Sequence, residues 1–319
     1  MYAGRRPGKS KKEDKMIRKI NLLAFALGIL ALFSFPAASQ AGKNPLVDAA
    51  WLAKNRQRVI LVDVRNKEAY QAGHIPDAVN IPVNDLQSKP DAILYPVKKL
   101  DRTLGEDGLS MGSDVVLYGA GKEMAYLEYW MFDYLGMKRI HVLNGGIEAW
   151  KGETSTTPKK LTASTFKARP DPRKYATTRY VRANLHKPNV IILDVRTPGE
   201  YKGTDVRSLR GGHIPGALNM NFEQNYEPGT TTLKPASELA GIYARLDKKK
   251  EVITYCQTGT RAANAYFMLR ELGFHKVRNY DASWIVWGTR LDLPAEDVSY
   301  LNFVPVLKAV KKMQKLEKK

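Results

Sequence analysis

The chain has 319 residues, 44% of them hydrophobic and 26% charged, with a formal net charge of +19. This length leaves room for two ordinary domains, and the apolar content excludes disorder as the state of most of the chain. The charge sits largely at the ends. Eight Lys/Arg against two acids lie in the first 41 residues, and six Lys against one Glu run from Lys308 to Lys319, with no nucleic-acid-binding motif beside them.

In chain order, the first element is a targeting segment. Lys15, Arg18 and Lys19 precede an apolar run from Leu22 to Phe35, Pro36 breaks it, and Ser39-Gln40-Ala41 follows as a small-x-small cleavage site. Residues 1–41 therefore read as a secretory signal, with Met16 as an alternative start. The apolar run is short of the ~20 residues that a membrane span needs, so an uncleaved anchor over residues 20–36 is the second reading. The expected location is periplasmic or extracellular, with membrane contact only if the segment is retained. No cysteine follows the run, which excludes a lipid-modified one.

The rest is one domain written twice. Leu61-Val62-Asp63-Val64-Arg65 recurs as Ile192-Leu193-Asp194-Val195-Arg196. Gly73-His74-Ile75-Pro76 recurs as Gly212-His213-Ile214-Pro215, Tyr118 as Tyr255, Leu135-Gly136 as Leu272-Gly273 and Trp150 as Trp287. The offset is 131 at the Asp and 137 from the Tyr onward, so the second copy carries an insertion around Lys202 to Arg210. So long a period means two globular domains rather than a solenoid. Val59 to Val62 and Val190 to Leu193 are apolar β-branched runs suited to strands buried on both faces. Helical patterns follow at Glu123 to Leu135 and Arg261 to Leu272. The expected fold is α/β: two tandem domains, each a mostly parallel sheet flanked by helices. The divisions are residues 44–152, a linker at 153–163, residues 164–293, and a tail at 294–319 with a Lys-rich end. Phe166 is a candidate for the first strand of the second domain.

Cys256 is the only cysteine, so the chain has no internal disulfide. It stands between a short apolar strand, Glu251 to Tyr255, and the helix from Arg261. Open α/β sheets bind ligands at this carboxyl edge of their strands. The intervening Gln257-Thr258-Gly259-Thr260 and the helix start would present main-chain N–H groups inward, a nest that binds anions and favours a thiolate. Gly259 lets the loop curl, and Arg261 adds charge or braces it. A buried inert cysteine, a turn glycine and a surface arginine are the plain alternatives, weakened by all three falling in one loop.

The paired "DVR…GHIPGA" segments, the "YCQTGTRA" loop and "NYDASWIVWG" resemble tandem rhodanese-family sulfurtransferases of the thiosulfate sulfurtransferase kind, over Leu46 to Leu293. The resemblance implies a non-catalytic first domain, and Gly119 indeed stands where a cysteine would be. It implies sulfur transfer by double displacement through a Cys256 persulfide, cradled by Gln257, Thr258, Gly259, Thr260 and Arg261, with no metal or organic cofactor. The expected partners are a small anionic sulfur donor and a thiophilic acceptor: cyanide, a thiol or a thioredoxin-like protein. Arg196, Arg210 and Trp284 are candidate donor-binding residues, and Arg207 could reach the pocket. A bracing role stays open for Arg196, whose counterpart is Arg65, and core packing for Trp284. Asp63 and Asp194 read as loop braces. His74 and His213, present in both copies, read as structural.

Mercaptopyruvate-specific relatives carry a "C-G-S-G" loop and a histidine from domain one. Gln257 and Thr258 follow the cysteine here, and Asp91 to Val97 holds no histidine, so a thiosulfate-like donor is preferred. A Cys-dependent phosphatase or arsenate reductase is one rival, disfavoured because Arg261 falls only five residues after Cys256. A non-enzymatic sulfur or selenium carrier is the other.

Overall fold

The computed structural model describes residues 45–88, 91 and 93–302. The targeting segment and the Lys-rich tail lie outside these residues. Among the described residues, no helix is long and apolar enough to cross a membrane.

The two sequence repeats fold as two all-parallel sheets. The first orders its strands β1-β5-β4-β2-β3: β1 is Leu46–Val47, β2 Ile60–Asp63, β3 Val79–Asn80, β4 Asp114–Tyr118 and β5 Arg139–Leu143. The second orders them β7-β6-β8-β9: β6 is Val190–Asp194, β7 Leu218–Asn219, β8 Glu251–Tyr255 and β9 Val277–Asn279. Central strands β4 and β8 are almost wholly buried, as their unbroken apolar runs require.

Helices cover both faces. In the first repeat they are α1 (Ala49–Asn55), α2 (Lys67–Ala72), α3 (Val97–Glu106), α4 (Met124–Leu135) and α5 (Gly146–Ala149). In the second they are α6 (Thr178–Ala183), α7 (Pro198–Tyr201), α8 (Ala236–Tyr243), α9 (Thr260–Glu271) and α10 (Ser283–Trp287). Helix α4 stops at Gly136, whose φ of 97° is left-handed and lets the Gly136 and Met137 amides close on Asp133 and Phe132. Helix α7 opens with a capping box: Thr197 accepts from the Glu200 amide, and the Glu200 carboxylate accepts from the Thr197 amide.

Helices α4 and α9, each following the loop after a central strand, pack on one another across the two repeats. Phe267 meets Tyr126 at 5.1 Å and Tyr129 edge-on at 4.8 Å. Tyr266 donates to Asp133 at 2.7 Å. Helix α9 is buried continuously from Arg261 to Leu269, as befits a helix enclosed on all sides. One apolar cluster consequently runs from Val62 and Leu117 in the first repeat to Val252 and Phe274 in the second.

Phe166 differs from its expected place. It pairs with no strand and is buried beside Gly105, while the Ala168 amide donates to Asp101, both of the latter residues lying on or in α3. The first contact of the second repeat's leading segment with its sheet is the parallel bridge Tyr175–Asn279. A lone aromatic in a polar stretch marks burial without saying which core receives it.

Candidate active site

Strand β8 lies between β6 and β9, and Cys256 follows its last residue at the carboxyl edge of the sheet. The Cys256 amide donates to Ser283 Oγ at 3.1 Å, and its carbonyl accepts from the Trp284 amide at 3.0 Å. The Gln257 carbonyl accepts from the Ile285 amide at 2.8 Å. Ser283, held at φ 44°, spends its own hydroxyl proton on the Tyr280 carbonyl at 2.7 Å. The start of the loop is thus stitched to the turn that opens α10.

Gly259 turns the chain into α9 with φ 83°, and a Cβ there would fall 2.7 Å from the Asp281 carbonyl oxygen. Only glycine fits this position. Between Cys256 and the helix, the amides of Gln257, Thr258, Gly259, Thr260 and Arg261 donate to no acceptor among the described residues. Unfilled donors at the N-terminal end of a helix form a site for an anion.

The first repeat supplies an internal comparison. Gly119 occupies the Cys256 position, and its carbonyl accepts from the Ile147 amide just as that of Cys256 does from Trp284. There, however, the Gly121 amide donates to the Glu148 carboxylate at 2.9 Å. Ile285 stands at the Glu148 position of the second repeat, and the amides of the Cys256 loop stay open.

Arg261 braces the loop. Its Nη1 and Nη2 donate to Glu200 Oε2 and Oε1 at 2.7 and 2.8 Å, a buried bidentate pair. Burial pushes the Glu200 carboxyl up, but the bond to Arg261 and its charge outweigh this and hold it at about 2. Burial likewise lowers Arg261, yet Glu200 and the nearby Cys256 leave it raised, so its charge is fixed. Gln257 folds toward the insertion: its Nε2 donates to Ser208 Oγ at 2.9 Å and to the Arg207 carbonyl at 3.2 Å. Thr258 and Thr260 place their hydroxyls 3.4 Å apart. Cys256 itself is 1% exposed and borders the apolar core shared by the two repeats.

Three sequence candidates hold other positions. The Arg196 guanidinium is taken up by Asp194 at 2.6–3.1 Å and by the Gly212 carbonyl at 2.7 Å. Arg65 does the same with Asp63 and Gly73 in the repeat that lacks a cysteine. Both arginines thus brace the turn after the Asp in the same way, with or without a cysteine nearby. Arg210 Nη2 donates to the carbonyls of Trp287, Arg290 and Leu293, pinning the chain after α10. Trp284 is fully buried with Trp287 in the second apolar cluster, onto which Ile93 of the first repeat also packs, and donates from Nε1 to the Arg210 carbonyl. Arg196 lies over its ring, at 4.6 Å. His74 and His213 are buried, stacked on Tyr70 and Tyr201, and bonded to the carbonyls of those tyrosines. Arg207 is half-exposed, bound to Asp205 and 3.8 Å from Glu200.

Sequence reasoning missed Glu200, Ser283 and Asp281. Glu200 was signalled by its capping box, Thr197-Pro198-Gly199-Glu200. The other two gave no local signal.

The model of the rhodanese-like domain matches residues 47–153 and again 177–290. The chain belongs to the rhodanese family. The thiosulfate sulfurtransferase of Corynebacterium glutamicum is 32% identical over 283 residues, covering 82% of this chain and 94% of that one. That of Azotobacter vinelandii is 32% identical over 251 residues, covering 75% and 91%. Among solved structures, EanB with ergothioneine covalently linked with a persulfide cysteine superposes with a TM-score of 0.73 at 25% identity, over 79% of this chain and 70% of that one. This rhodanese is a sulfurtransferase with two rhodanese-like domains, and a thiosulfate-type donor is consistent with its relatives.

Proposed function

We propose that the protein moves a sulfane sulfur from thiosulfate to a thiophilic acceptor through a persulfide on Cys256. The thiolate attacks the outer sulfur of thiosulfate, the S–S bond breaks, and its electron pair leaves with sulfite. Cyanide or a thiolate then attacks the outer persulfide sulfur, and Cys256 departs as thiolate. One difficult transfer becomes two easier ones, with ping-pong kinetics. No step changes a metal or organic cofactor.

The observation that carries this reading is the run of open amides after Cys256, set against the Glu148-filled loop that follows Gly119. Five N–H groups at a helix start stabilise negative charge on a terminal sulfur and on the departing sulfite. Arg261, locked to Glu200, adds a fixed positive charge. The persulfide cysteine of EanB supports the same intermediate here.

Mass spectrometry of the protein before and after thiosulfate tests the proposal: Cys256 should gain one sulfur atom, and cyanide should remove it. Cys256→Ala should abolish transfer and leave the circular dichroism spectrum unchanged. Transfer retained in that variant is incompatible with the mechanism.

The reading extends to export. The charge, apolar run and small-residue motif before Lys43 support it, and N-terminal sequencing of protein from intact cells should start after Ala41.

A further inference from the structure

The second repeat's "NYDASW" turn carries a carboxyl that the reaction does not use. Asp281 is fully buried and has no cationic partner among the described residues. Its Oδ2 accepts from the Leu94 amide at 2.8 Å, and its Oδ1 faces Gln87 Nε2 at 3.5 Å. Both donors belong to an arm of the first repeat closed by the Gln87–Leu94 bridge, whose Ile93 packs onto the second repeat's core. On its other side, Asp281 Oδ1 lies 2.9 Å from where a Cβ of Gly259 would be, inside the Cys256 loop.

The pseudo-symmetric seam has the same construction with one difference. The arm of the second repeat, closed by the Tyr226–Leu233 bridge, donates the Leu233 amide to Asn144 Oδ1 at 2.9 Å. Asn144 is the counterpart of Asp281 at the 137-residue offset. A neutral amide therefore suffices to hold this contact, and the titratable carboxyl occurs only on the side that carries Cys256.

We infer that Asp281 is a positioning residue that ties the first repeat to the Cys256 loop and sets, through its ionisation, how tightly that loop binds an anionic sulfur donor. The inference rests on the loop being the anion cradle. Burial pushes the Asp281 carboxyl up to about 7, while the Leu94 and Gln87 donors pull it down. Tyr175 and Tyr280 are the other titratable groups that feel it. Asp91 on the same arm is exposed, and Lys89 lies outside the described residues. Neutral Asp281 leaves the amides of the loop wholly available to a dianion. Ionised Asp281 sets a negative charge against Gly259, which opposes the donor in a poorly screened setting.

The test uses the full chain, Asp281→Asn and the mirror variant Asn144→Asp. The KM for thiosulfate in the unaltered protein should rise about threefold or more between about pH 6 and 8, with kcat nearly constant. Asp281→Asn should flatten that rise, and Asn144→Asp should leave it intact. A rise that persists in Asp281→Asn, or that disappears in Asn144→Asp, overturns the inference. Thermal unfolding separates its failure from that of the sulfur-transfer reading. The fold favours the protonated carboxyl, so its stabilising contribution is full below ~pH 4 and is lost as pH rises through about 7. The unfolding midpoint should therefore fall more between about pH 4 and 7 in the unaltered protein than in Asp281→Asn. Equal slopes overturn the inference even in a protein that transfers no sulfur from thiosulfate.

Discussion

At the residue scale, the Glu200–Arg261 pair decides whether the loop keeps its shape. Both side chains are buried, so removing one charge strands the other. Glu200→Gln should cost about 3 kcal/mol in urea unfolding and lower kcat/KM, because Arg261 loses its anchor. The pH dependence fixes the sign. The fold depresses the Glu200 carboxyl to about 2, so its stabilisation is present above the ordinary carboxylate range and is lost as pH falls through about 2. The stability gap between the unaltered protein and Glu200→Gln should narrow as pH is lowered from about 5 toward 3. Cysteine access belongs to this scale too. With Cys256 1% exposed, a bulky disulfide reagent should modify it far more slowly than it modifies the unfolded chain, and thiosulfate should protect it. The placement of Cys256 and its loop between strand and helix was legible because six consecutive residues carry them between two strongly patterned elements. The destination of Arg210 was not, since its partners lie 77 to 83 residues away, whereas bracing for Arg196 and core packing for Trp284 were among the readings the sequence left open. The repetition of Asp-Val-Arg in the cysteine-free copy was nevertheless a sequence signal for bracing.

At the element scale, two loops at equivalent positions in the repeats differ in what fills them. The turn after β4 satisfies its Gly121 amide with Glu148 from α5, whereas Ile285 of α10 holds the equivalent position after β8 and its amide donates to the Gln257 carbonyl. Ile285→Glu should give the Cys256 loop its own carboxylate and make it self-inhibited. Transfer should fall at least ~10-fold, equal to about 1.4 kcal/mol, through a raised KM for thiosulfate, while the thermal midpoint changes little. A fall in kcat alone, at unchanged KM, would argue against an anion cradle at these amides. Strand and helix placement was readable to within a residue or two, β8 being Glu251–Tyr255 and α9 Thr260–Glu271. Periodicity and the β-branched runs fix such elements locally. The short strands β3 and β7, two residues each, have no such pattern and are held by pairing to β2 and β6.

At the scale of the whole molecule, the repeat shows two domains, but the packing joins them. Tyr126, Tyr129 and Phe267 interleave between α4 and α9, Tyr266 reaches Asp133, and a single apolar cluster passes from one sheet to the other. Neither repeat can unfold without exposing the partner's helix, so their transitions are coupled. Calorimetry should show one endotherm with matching calorimetric and van't Hoff enthalpies. Phe267→Ala removes the ring at the crossing and leaves a cavity, at a cost of about 3–5 kcal/mol. The cost falls on the seam, so this variant should broaden the endotherm or split it in two. It should also lower transfer activity, because α9 carries the N–H groups next to Cys256. A single sharp endotherm in Phe267→Ala, shifted down without broadening, would mean that the two repeats are coupled elsewhere than at this helix crossing.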